Sequence, residues 1–185
     1  MDFDTNTPPR EIFVYACQRI AEPFAPLGFK YRKSKNDLCK TEGDFTYTIS
    51  FQPSIKAGST AFTAHVAVSS KVLAKWCSEH YQKKDDGLIF MESLARLTKR
   101  DNEWPRYAIA THTERERVIA ELTAVIQDFA LPFFSRFANP EELAREVANK
   151  GFLPHRKGPE WDKARREDFV RCYGGDRGGE GGAAR

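Results

Sequence analysis

Four cysteines in 185 residues are too few for a disulfide scaffold, and Cys17, Cys39, Cys77 and Cys172 stand singly. They read as reduced thiols, which points to the cytoplasm. The opening MDFDTNTPPR has two Asp and no basic segment leading into an apolar run, so a signal peptide is not expected. No stretch of the sequence approaches the roughly 18 consecutive apolar residues of a membrane span, so no membrane role is expected. Charge of one sign is also scarce: 29 Lys and Arg face 26 Asp and Glu, a formal +3 that gives little general attraction to nucleic acid. No nucleophile elbow, Walker loop, HExxH pair or dinucleotide fingerprint occurs. Any function must therefore be read from local features.

Apolar residues are plentiful. They make up 41% of the chain and include 14 Phe, enough for one globular core. Thr7 ahead of Pro8 and Pro9 predicts an N-cap, and Ile12, Phe13, Ala16 and Ile20 then recur at helical spacing over 8–21. From 29 to 68 the period changes to two, broken at Asn36-Asp37, at Gly43-Asp44 and near Gly58, which predicts a four-stranded meander. Phe45, Tyr47, Ile49 and Phe51 share one face with Phe62, Ala64, Val66 and Val68. Thr46, Thr48, Ser50, Gln52, Thr63, His65 and Ser69 share the other. Pro53 belongs at a strand end or an edge.

Ser70 predicts the cap of a short helix carrying Val72, Leu73, Trp76 and His80, which the KKDDG run at 83–87 ends. Two strands are expected at 94–98 and 104–109, around a KRDNE turn, although the pattern of the first would equally suit a helix. Thr113 and Glu116 form a capping-box pattern before Val118, Ile119, Leu122, Val125, Ile126 and Phe129, and Pro132 should kink or stop that helix. Asn139-Pro140 starts another helix that ends before Gly151, and a last one is expected from Pro159 through Trp161, Ala164 and Phe169. The fold class expected is α+β, an antiparallel meander with helices packed mainly on one face. One domain should span 1–172, with a flexible Gly-rich tail at 173–185. The core should include Phe45, Tyr47, Ile49, Phe51, Phe62, Val66, Val68, Leu122, Ile126 and Phe129.

In this order of elements the sequence resembles an uncharacterised family of bacterial cytosolic domains of unknown function. The residues that carry the resemblance are LGFKYRK (27–33), ISFQPS (49–54), FTAHVAV (62–68), ARL (95–97) with Trp104, and ALPFFSRF (130–137) leading to PEEL. The resemblance spans about 12–151 and implies an α+β fold without an established activity. It also suggests a setting near bacterial toxin, immunity and conflict genes. The Gly-rich tail departs from the family pattern.

Cys77 and His80 lie at i and i+3, a zinc half-site in form, with His65, His112 or Cys172 as further ligands. No second spaced pair completes it, so neither a metal nor another cofactor is expected. Residues 30–40 carry Lys30, Arg32, Lys33, Lys35 and Lys40 against the single acid Asp37, a local excess larger than that of the whole chain. Tyr31 alternates with these cations and offers an aromatic platform beside phosphate-binding groups. The bland reading is an edge hairpin whose lysines discourage edge-to-edge pairing. Gln52 and His65 on the polar face, with Trp104 and Arg106 if those two are strand-borne, form a second candidate surface of residue types that favour binding. Taken together these features favour a small non-enzymatic protein-binding domain, an immunity or accessory factor whose partner the sequence does not identify. Nucleic-acid binding through the hairpin and a hydrolase-type enzyme using His65 or His112 stay open as alternatives, and the oligomeric state is not legible.

Overall fold

The computed structural model describes residues 3, 7–56, 59–98, 104–155 and 160–175. Helix α1 (Pro9–Ala21) begins with Pro8 at the N-cap and Pro9 in the first turn, where a missing N–H costs nothing. Thr7, expected as the cap, stands one residue outside. Ile12, Phe13, Ala16, Cys17 and Ile20 form its buried stripe. A 3₁₀ turn (Glu22–Leu27) follows and ends at Gly28.

The expected meander is present as β1 (Lys30–Arg32), β2 (Asp37–Glu42), β3 (Phe45–Lys56) and β4 (Ser59–Ser70). It forms part of a six-stranded antiparallel sheet ordered β1-β2-β3-β4-β5, with a short β6 also on β4. In register, Tyr47 opposes Val68, Ile49 opposes Val66 and Phe51 opposes Ala64, so one face is a continuous apolar surface. Helices supply its cover: Phe13 meets Phe62 edge-on, Phe134 lies 4.8 Å from Tyr47 and Phe137 lies 5.4 Å from Phe45. The opposite face keeps Thr46, Thr48, Ser50, Thr63, His65 and Ser69 half-buried and Gln52 exposed. Pro53 sits in β3 beyond the reach of β2, whose pairing stops at Ser50, so its missing N–H leaves no gap on that edge.

Helix α2 (Lys71–Tyr81) is capped by Ser70, whose Oγ accepts from the Leu73 amide at 3.1 Å. After the polar turn, the Gly87 carbonyl accepts from the Ser70 amide, and a Cβ on Gly87 would sit 2.0 Å from the Ser70 oxygen. Only glycine fits that crossing.

The stretch that follows differs from expectation. The strand is β5 (Leu88–Ser93), while residues 94–98 hold a 3₁₀ turn (Leu94–Leu97) instead of a strand. Ile89 and Phe90 are both buried in β5, next to a register shift at Val68/Ser69, so no alternating signal marks it. Of 104–109 only Tyr107–Ala108 is a strand, β6, and the KRDNE turn at 99–103 lies outside the described residues.

Helix α3 (His112–Val125) starts two residues earlier than expected. Its capping box is Thr111 with Glu114, not Thr113 with Glu116: Thr111 Oγ1 accepts from the Glu114 amide, and Glu114 returns a contact to the Thr111 amide, both at 3.2 Å. The sequence THTERE holds two such patterns. The Ile109 amide bonds Thr60 and fixes the chain as extended just upstream, so the first cap is taken. Pro132 does not stop the helix. A π turn (Ile126–Ala130) shifts the hydrogen-bond ladder before it, and α4 (Leu131–Ser135) continues beyond. The extra residue also turns the buried face, so Phe133, Phe134 and Phe137 point inward while Phe129, expected in the core, is 40% exposed. The whole helical run His112–Ala138 is long and apolar enough to cross a membrane by length and composition alone, contrary to the sequence reading. Its α3 part packs against α1 and β6, and beyond the π turn Phe133, Phe134 and Phe137 pack on Phe90, Tyr47 and Phe45 of the sheet.

Helix α5 (Pro140–Lys150) is capped by Asn139 and stops at Gly151, and α6 (Glu160–Gly174) packs against it. Pro159 lies outside the described residues. Tyr173, assigned to the tail from sequence, is 2% exposed, lies 5.6 Å from Phe45 and shares a 2.5 Å hydrogen bond with the Ser70 hydroxyl. The remainder of the tail, from 176, lies outside the described residues. Every other predicted core residue is buried.

Phe137→Ala should lower the unfolding free energy by about 3–5 kcal/mol, whereas Phe129→Ala should cost under about 1 kcal/mol. Urea titrations check this, and equal losses would contradict the π-turn rotation. Burial pushes the Cys17 thiol and Tyr31 phenol up, Cys77 up to about 11 and Tyr47 up to about 12. The folded chain thus retains protons that the unfolded thiols release near pH 8.5 and the unfolded phenols near about pH 10. Their contribution is complete below those values and is lost as pH rises, so the urea midpoint should fall from about pH 8 to about pH 11. A midpoint that rises over this interval would refute the assignment.

Candidate functional site

Antiparallel register decides which polar residues meet. Arg32 opposes Asp37, Asp37 opposes Ser50, Ser50 opposes His65 and His65 opposes Ser93. These five residues therefore form a polar row across five strands on the outer face. Gln52 opposes Thr63 in the next row, which places Gln52 diagonally beside His65, on the same face as the alternation predicted.

At one end of the row the Arg32 guanidinium holds the Asp37 carboxylate through two 2.6 Å bonds, with Asp37 buried. This pair fixes β1 on β2 and neutralises one cation of the basic hairpin. Near the other end His65 Nε2 lies 3.0 Å from Thr63 Oγ1, and burial pushes the imidazole pKa below its ordinary value. The ring is thus neutral at neutral pH, able to donate through one nitrogen and accept through the other.

Neither Trp104 nor Arg106 is strand-borne, yet both reach this face. Trp104 is 52% exposed, with its ring 5.7 Å from that of His65, and Arg106 donates to Ser54 Oγ at 2.6 Å. They arrive on a segment leading into β6, whose pairing with Ala61 and Phe62 anchors it beside β4. Met91 of β5, which opposes Ala67, adds an exposed apolar side chain that sequence reading missed because β5 itself carried no periodic signal.

The hairpin is less basic in effect than its composition. Lys30, Lys33 and Lys35 are exposed, but Arg32 is taken by Asp37 and Lys40 by Glu42 at 2.8 Å. Tyr31 opposes Leu38 and packs half-buried against the core beside Cys17, so it offers no open ring. Asn36, with φ of 54°, turns the tip, where Arg10 of α1 binds its side chain at 2.7 Å. The Asn36 carbonyl accepts from the Phe51 amide, which sets the lysine-bearing turn next to Gln52.

Residues suggested for other chemistry are not brought together. Cys77 is buried and donates to Asp168 at 3.9 Å, while His80 stacks on Trp76 at 4.7 Å. Among the described residues no group of three or more His, Cys, Asp or Glu is placed to hold a metal. A cleft of about 680 Å3 between α2 and α6 is lined by Tyr81, Asp85 and Arg165 with Asp168, and His65 and His112 lie outside it. Within the polar row His65 bonds the Thr63 hydroxyl and not that of Ser50.

A family model described as Domain of unknown function (DUF4304) matches residues 20–136, more than half of the chain and all of the row just described. No curated protein and no solved structure matches. By nitrogen-detected NMR the His65 ring should titrate with a midpoint below about 6.5. A midpoint at or above that value would show that burial does not govern the ring.

Proposed function

We propose that this chain, which belongs to the DUF4304 family of domains of unknown function, is a non-enzymatic binding module that receives a partner protein on the outer face of its sheet. One observation carries the reading: Trp104, an exposed aromatic, leans on the neutral His65 beside Gln52 and Arg106, on a face where Thr46, Thr48, Ser50, Thr63 and Ser69 are small and half-buried. Small hydroxyl-bearing residues let a partner backbone approach closely, and Trp and Arg are the types that dominate binding energy at protein interfaces. Lys33 and Lys35 beside Gln52 add a positive margin that favours an acidic partner. An immunity or accessory role in a bacterial conflict system fits a module of this kind, and the free thiols suit a cytoplasmic setting. Nucleic-acid binding by the hairpin has less support, because Tyr31 faces the core and Arg32 is held by Asp37.

The test is co-purification of the tagged full chain from its native host, run in parallel with Trp104→Ala. A protein recovered by the wild type and lost with Trp104→Ala, at unchanged melting temperature, is the expected result. With that partner immobilised, Gln52→Ala should speed dissociation by about 5- to 160-fold, equivalent to about 1–3 kcal/mol. Charge reversal at Lys33 and Lys35 should instead slow association in a salt-dependent way. Recovery that is indifferent to Trp104, or a Gln52→Ala variant that melts lower and binds unchanged, would remove the outer face as the site.

A further inference from the structure

On the opposite side of the sheet, between the β2–β3 hairpin and the end of the long helix, lies a cleft of about 750 Å3. That size falls within the roughly 300–1,000 Å3 of sites that enclose small molecules. Leu27, Phe29, Phe45, Phe134 and Phe137 form its apolar wall. Leu27 is 48% exposed at this wall, an apolar side chain left uncovered at the opening. Gly43, at the hairpin turn with φ of 57°, has nothing within 4 Å of where a Cβ would stand, so the turn does not close the mouth.

Two polar side chains in the cleft can donate to a ligand, since the Ser135 hydroxyl is spent on the Pro132 carbonyl. Lys40 keeps only 26% of its side chain exposed, with its ammonium 5.9 Å from the Phe29 ring centroid. Its partner Glu42 is 65% exposed, so that carboxylate can leave for water while the ammonium stays against the aromatic wall. Tyr47 is the second donor. Burial, then the nearby Glu42, pushes its phenol up to about 12, which keeps the hydroxyl proton in place at physiological pH. An apolar wall with an ammonium and a phenol asks for an apolar body bearing one acceptor, and a negative one satisfies Lys40 best. Glu42 and Asp44 at the rim disfavour a ligand of higher negative charge.

We propose that this cleft binds an amphipathic monocarboxylate of the fatty-acid class, its chain along the Phe and Leu wall and its carboxylate replacing Glu42 at Lys40 while accepting from Tyr47. This site lies on the inner side of the sheet and does not depend on the outer face binding a partner.

Calorimetric titration of the full chain with dodecanoate, kept below its micelle concentration, tests the proposal against dodecanol and dodecyltrimethylammonium. Saturable one-to-one binding of dodecanoate is expected, with the alcohol and the cation at least about tenfold weaker. Lys40→Met keeps the apolar stem and removes the charge, so it should weaken dodecanoate by about tenfold or more and leave dodecanol unchanged. Ala138→Trp, on the exposed rim of the cleft, should abolish binding of both without touching the ion pair, which keeps the test decisive if the Lys40 variant fails to fold. Absence of saturable dodecanoate binding, equal or tighter binding of the cation or alcohol, or insensitivity to Ala138→Trp would overturn the assignment.

Discussion

The ring of Phe137 is the point on which the rest of the structure closes. It lies within 6.3 Å of five other rings: Phe45 and Tyr47 from the sheet, Phe133 from the preceding turn, Phe152 from the connection after α5 and Phe169 from α6. Such rings exclude large areas from water and interlock edge to face, so a cluster of this kind fixes orientation as well as supplying burial energy. The C-terminal helices thus join the same core as the sheet. Tyr173 extends the seam by meeting Phe45 and bonding the hydroxyl that caps α2.

Strand β3 then divides the molecule's surfaces between two uses. Phe45, Tyr47, Ile49 and Phe51 build the wall that the helices cover, and Tyr47 turns toward the apolar cleft. Ser50 and Gln52, alternating with them, build the outer row. Because a pleated strand holds consecutive side chains on opposite faces, a slip of one residue would exchange the two sets and bury hydroxyls against the helices. The twelve-residue pairing of β3 with β4 guards against such a slip.

Charge is arranged by local pairing and not by accumulation. Of the five cations in the basic hairpin, Arg32 and Lys40 are committed to Asp37 and Glu42, acids of β2 whose side chains point to opposite faces. What remains is a margin of three exposed lysines around a polar face. Such a margin steers encounter with an acidic surface better than it grips a polyanion, where affinity rises with the number of phosphates neutralised.

Much of the fold was legible because it rests on local pattern. Period-two alternation gave the four strands and the correct facing of Gln52 and His65, and Ser70 and Asn139 announced their helices through capping chemistry that acts within three residues. Harder to read were the elements whose form depends on distant contacts. β5 hides its strand character because both Ile89 and Phe90 are buried, and Phe129 is turned outward by a π turn that no residue nearby specifies except Pro132. Two capping boxes overlap in THTERE, and only the bond from Ile109 to Thr60 selects one. The site divides in the same way. The sequence by itself determined that Lys33, Lys35, Gln52 and His65 would be presented on a hairpin and a sheet face, since side-chain direction in a strand follows from the backbone. Tertiary structure alone decided that Tyr31 would face inward, that Asp37 would clasp Arg32, that Trp104 would come to rest against His65 and that a cleft would open beside Lys40. Each of these depends on residues far apart in the chain or on the choice between two faces, and such choices are made by the packing of the whole core.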